Sequence, residues 1–216
     1  MIDIDIKEVY RYLGYHKKTQ VIPTDEVDAL IRSCIIEMEK VVEPRCMIKR
    51  FPIIREGHIL NLGGLRVESK NLSKNLEDCT EVYLLAGTIG IEVDRLIRRA
   101  ELTKMSQAMV YQAVGAAMIE SYIDSINNVI RNEALGRGVY VRPRYSPGYG
   151  DFPLYHQKAF LDIVEGDKIG IHLTDTYLMI PSKSVTAVIG CSKVNRNCVL
   201  SGCEVCDQID CSMRRS

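Results

Sequence analysis

One stretch constrains this fold more than any other. From Gly90 to about Asn132 the sequence reads as helix, in two pieces meeting near Leu102 and Thr103, with Thr103 placed to cap the second. In that second piece Met109, Ala113, Ala116, Ile119, Ile123, Ile126 and Ile130 recur at steps of three and four, while Gly115 and the alanines allow close packing. A helix carrying so long an apolar stripe draws its stability from whatever packs against it, so the rest of the chain must supply a broad apolar surface. Glu120 sits beside that stripe, where a carboxylate is costly unless paired. Its ordinary reading is a solvated helix carboxylate.

Two helices precede this stretch. Asp5 is placed to cap a short one with Ile6, Val9, Tyr10 and Leu13 on its apolar face, ending at Gly14. Pro23 and Thr24 open a second, whose stripe runs Val27, Leu30, Ile31, Cys34, Ile35, Met38, Val41 and Val42 until Pro44 stops it. Cys34 lies within that stripe and reads as a buried apolar filler. Between Arg45 and Val67 the pattern shortens to apolar pairs broken by Pro52, Gly57 and Gly63-Gly64, as for two short strands and turns. Residues 69–76 fit one or two helical turns, and the compact run Val82 to Ala86 fits a central strand.

Beyond the long helices, Val139 to Val141 reads as strand. Residues 143–153 follow, a loop stiffened by three prolines and two glycines. A helix is expected from Leu154 to Val164, then three strand-like runs at 169–174, 176–180 and 185–189. Helices and strands are mixed without regular alternation, and no G-x-G-x-x-G follows a strand. The expectation is an α+β fold: a single domain, residues 1–190, with a mostly antiparallel sheet flanked by helices and not Rossmann-like, followed by a cysteine-rich tail, 191–216.

Charge excludes some partners. Lys plus Arg and Asp plus Glu both number 28 among 216 residues, so no global field attracts nucleic acid or anionic membrane, and a charged ligand must be held by local groups. The start, Met1-Ile2-Asp3-Ile4-Asp5, is acidic and alternating rather than basic then apolar, and no run approaches the roughly 20 apolar residues of a bilayer span. The cytoplasm is the expected address. His16, His58, His156 and His172 are scattered without ligand spacing.

The segment from Arg144 to Pro153 reads R-x-x-P-G-Y-x-x-x-P. It is followed at Leu173 to Pro181 by L-T-acid-hydroxyl-aromatic-x-M-x-P, with Ser184-Val185 just beyond. These two ordered motifs resemble the activation domain of cobalamin-dependent methionine synthase, in the form where that domain is a separate polypeptide. No D-x-H-x-x-G corrinoid motif is present. The resemblance implies that the chain binds S-adenosylmethionine and supports the reductive methylation of cob(II)alamin. The cobalamin would be supplied by a partner, a cobalamin-dependent methionine synthase lacking its own activation domain, with a flavodoxin-like protein as reductant. It also implies site residues: Arg144 gripping the ligand carboxylate through two parallel hydrogen bonds, Glu120 receiving the amino group, and Tyr149 near the sulfonium or sugar. Gly148 would permit close main-chain approach, and Asp5 would correspond to an N-terminal acidic residue of the family. Each has an ordinary alternative: Arg144 pairing with Asp151 at the surface, Tyr149 as a core aromatic, and the glycines and prolines as turn chemistry. No Ser-His-Asp or Cys-His arrangement is expected, because cobalt is the nucleophile.

Five cysteines crowd the end, at 191, 198, 203, 206 and 211. The C-x2-C pair with nearby thiols makes Cys198, Cys203, Cys206 and Cys211 candidate ligands for zinc or an iron–sulfur cluster, although the spacing matches neither common ferredoxin arrangement. That leaves a rival function, a small metal- or cluster-bearing electron-transfer or interaction protein serving another corrinoid methyltransferase.

Overall fold

The computed structural model describes residues 2–15, 22–57 and 59–195. Local chemistry accounts for the first helices. The Asp5 carboxylate accepts from the Lys7 N–H and starts α1 (Ile6–Tyr12), and the Thr24 hydroxyl accepts from Val27 to start α2 (Asp25–Glu39). Cys34 is fully buried in the α2 stripe, and burial pushes its thiol up to about 11, as expected of an apolar filler.

Three strands, not two, follow: β1 (Arg45–Glu56), β2 (Ile59–Leu62) and β3 (Leu65–Glu68). Pro52 does not break β1. It stands where the strand changes partners, since Arg45–Pro52 pair with β4 (Cys79–Thr88) while Ile53–Glu56 pair with β2. A missing N–H is tolerated at such a changeover. Ser69 caps the short α3 (Lys70–Asn75) that leads into β4.

The long helical stretch divides as expected into α4 (Ile91–Thr103) and α5 (Met105–Gly136), but the break falls on Lys104, at φ −151° and ψ 88°. Thr103 does not cap α5: its hydroxyl donates back to the Arg99 carbonyl and closes the last turn of α4. After α5 come β5 (Tyr140–Val141), α6 (His156–Val164) and a 3-10 turn (Gly166–Ile169). The expected strand at 169–174 is only β6 (His172–Leu173), paired with β7 (Met179–Ile180) in a small separate ribbon, before β8 (Ser184–Ser192). The second sequence motif therefore forms the tip of that ribbon, where Thr174 bonds the main chain of Leu178 in both directions.

The six-stranded sheet runs β3-β2-β1-β4-β8-β5, with every described pair antiparallel. Alternation along β4 explains its apolar run. Tyr83 and Leu85 face α1, α2, α4 and α5, whereas Val82, Leu84 and Ala86 face α3, α6 and β2–β3. A strand buried on both faces has no polar side to show. The fold is thus α+β, with helices on both faces of an antiparallel sheet. Among the described residues no helix is long and apolar enough to cross a membrane.

Candidate functional site

Arg144 owes its direction to an irregularity in strand pairing. After β5, the Arg142 N–H donates to Gly190 at 2.7 Å, and Tyr145 forms a bridge with Val188. Pro143 and Arg144 therefore stand opposite the single Ile189, the two-against-one count of a β-bulge, which re-aims a side chain. Tyr145 turns to the α6 side of the sheet, and Arg144 reaches α5 on the other. There its Nη2 lies 3.1 Å from Glu120 Oε2 and 2.9 Å from Asp124 Oδ1. The two carboxylates meet one guanidinium because they are four residues apart on a helix. The Arg144 side chain is 22 % exposed, and among the described residues its Nη1 is buried without a hydrogen-bond partner. One tine of the fork is held by α5; the other is a donor in search of an acceptor, and a buried donor left unpaired is costly.

The surface alternative for Arg144 does not occur. Asp151 is engaged elsewhere, with Ser69 Oγ donating to Oδ1, and with the N–H groups of Lys70 and Asn71 donating at 2.7 and 3.1 Å. It stitches the loop to the start of α3. The Ser69 hydroxyl, with the two main-chain donors, holds its carboxyl below the usual range. A depressed folded-state value means that this tie stabilises the protein above about pH 4 and is lost as pH falls through the lower value. Asp151→Asn is expected to lower the thermal midpoint near neutrality, by an amount that shrinks as pH falls below the usual carboxylate range, which a series of scanning-calorimetry runs from neutral to acid pH measures.

The loop itself is braced from within. Gly148 donates to the Phe152 carbonyl at 2.7 Å and Phe152 to Tyr149 at 3.0 Å. Phe152 is fully buried, stacked on Tyr145 with centroids 6.4 Å apart. Gly148 and Gly150 take φ of 95° and 52°, and a Cβ on Gly150 would stand 2.5 Å from both Tyr145 Oη and Asn71 Nδ2. Tyr149, by contrast, is 67 % exposed, so it is not a core aromatic.

Two residues were not anticipated from the sequence. Asp124 completes the Arg144 pair. Tyr12, at the end of α1, is half-buried near Glu120: burial first, and then that carboxylate, push its hydroxyl above the usual range. Arg11 lies over the Tyr12 ring and pairs with Glu8 at 2.7 Å. Asp5 is exposed at the opposite end of α1, seven residues from Tyr12 and so about 10 Å along the axis, with its carboxylate used as the helix cap. Cys198, Cys203, Cys206 and Cys211 lie outside the described residues. Cys191 is part of the body: it is buried in β8 and its thiol is pushed by burial to about 12. Among the described residues no group of three or more His, Cys, Asp or Glu is arranged to hold a metal. A separate cleft of about 530 Å³ lies between α6 and the β6–β7 ribbon, lined by Lys158, Asp162, His172 and Tyr177 among others, and shares no lining residue with the Arg144 cluster.

The profile of the vitamin B12 dependent methionine synthase activation domain matches residues 79–215, from the start of β4 through the cysteine-rich tail. The chain belongs to that family. The activation-domain match includes α5, the bulge and the loop, and hence Glu120, Asp124, Arg144 and Tyr149, while α1 and α2 lie outside it. Among solved structures, the fold is similar to the MetH reactivation domain bound to AdoHcy, with a TM-score of 0.66 over 89 % of this chain and 75 % of that one at 18 % identity. No curated protein sequence matches.

Proposed function

We propose that this chain binds S-adenosylmethionine by its amino-acid end and presents the methyl group to a corrinoid carried by another protein, a cobalamin-dependent methionine synthase that lacks its own activation domain. One observation carries the reading: among the described residues Arg144 Nη1 is buried and unpaired, while Nη2 is held by two carboxylates of α5. The ligand carboxylate is an acceptor of the right charge for that donor. In this reading Glu120, beside Arg144, accepts from the neighbouring ammonium, and the exposed ring of Tyr149 offers a face that favours the sulfonium. Family membership and the AdoHcy held by the similar reactivation domain support the same ligand class.

Bound S-adenosylmethionine supplies an activated methyl group. The chain's own part is to bind, orient and keep water away, which is where positioned reactants gain most. Neither Arg144, Glu120 nor Tyr149 has to act as a nucleophile. A flavodoxin-like protein is the proposed electron donor.

The test is spectroscopic. A methionine synthase fragment without its activation domain, held as cob(II)alamin, is mixed with a one-electron donor, S-adenosylmethionine and this chain. The methylated cofactor's absorption should appear only when all components are present. Its appearance without S-adenosylmethionine, or undiminished with Arg144→Ala, would contradict the proposal.

A further inference from the structure

We infer that Asp124 sets ligand specificity, its charge making the Arg144 cluster prefer the sulfonium ligand over the demethylated thioether product. The inference rests on the binding mode proposed above. Arg144 and Glu120, 3.1 Å apart, would by themselves form a neutral pair; Asp124, at 2.9 Å from the same nitrogen, leaves the cluster with one net negative charge. On α1, Arg11 is itself paired with Glu8 at 2.7 Å.

The two ligands differ in the complementary way. S-adenosylmethionine carries a carboxylate, an ammonium and a sulfonium, one net positive charge, whereas S-adenosylhomocysteine has lost the sulfonium charge and is neutral. Their amino-acid ends are identical, so the hydrogen bonds of Arg144 and Glu120 do not tell them apart. A fixed surplus charge does, because the sulfonium lies a few bonds from the amino-acid carbon and within the roughly 10 Å over which charge is felt at moderate salt. Such a site takes the methyl donor and lets the spent product go. Asp124 is half exposed, so the effect is screened and modest.

If Asp124 only positioned Arg144, its replacement would weaken both ligands alike. The decisive quantity is therefore the ratio of the two affinities, measured by titration calorimetry on the intact chain. Asp124→Asn, which keeps the shape and a hydrogen-bond acceptor, should lower the preference for S-adenosylmethionine about two- to fivefold, the scale of a screened unit charge at this range. Asp124→Glu should restore it. Both ligands binding Asp124→Asn with an unchanged ratio would overturn the inference and leave the binding mode standing. Binding of neither ligand by the wild type would overturn both.

Discussion

Replacing Arg144 by alanine is expected to weaken S-adenosylmethionine binding about 30-fold or more in calorimetry, with little change in thermal midpoint. The size follows from what is removed. With Nη2 already held by Glu120 and Asp124, the ligand carboxylate meets Nη1 rather than both tines, and truncating one partner of such a partly desolvated, charge-assisted bond costs about 2–5 kcal/mol. Stability should barely move, because the ion pairs that Arg144 makes are themselves part-exposed, with Glu120 and Asp124 at 33 % and 54 % exposure. Arg144→Lys separates charge from geometry. It keeps the positive charge but has one point donor in place of a planar fork, so binding should fall about tenfold, between the other two. Equal affinities for lysine and arginine would show that the fork is not used.

The largest effect on the fold is expected at Phe152. Its ring is fully buried at the end of the glycine–proline loop, stacked on Tyr145 and 5.4 Å from the His156 ring. Phe152→Ala removes that anchor and leaves a cavity in the core, at a cost of about 3–5 kcal/mol. For a chain of this size that lowers the thermal midpoint by about 10 °C. The same substitution should weaken the ligand as well, because Gly148 and Tyr149 are braced to Phe152 through main-chain bonds of 2.7 and 3.0 Å. A variant that loses stability and keeps full affinity would show that the loop does not position the ligand.

The two substitutions also mark what was legible in the sequence. The starts of the first two helices were readable because cap chemistry is local: Asp5 and Thr24 each accept from the first turn of the helix they precede, whereas Thr103, read the same way, closes the helix before it. The apolar run at Val82 to Ala86 announced a central strand, and the sheet puts it between β1 and β8 with both faces covered. Glu120, whose ordinary reading was a solvated carboxylate, is instead paired with Arg144, a contact that its place beside the apolar stripe hinted at without naming the partner. What depended on distant pairing was harder to see. Pro52 reads as a breaker until β1 is known to exchange β4 for β2 at that residue. The bulge that aims Arg144 exists only in relation to β8. Asp124 resembles any solvated helix carboxylate, although its four-residue spacing from Glu120 was the available clue. Tyr12 approaches Glu120 only because α1 packs against α5, and no local pattern reports that contact.

A structure of the intact chain in complex with S-adenosylmethionine tests the account most directly. The prediction is a ligand carboxylate oxygen within hydrogen-bond distance of Arg144 Nη1, with the ammonium facing Glu120 and the sulfonium toward the Tyr149 ring. The ligand seated instead in the cleft between α6 and the β6–β7 ribbon, with Nη1 untouched, would contradict it.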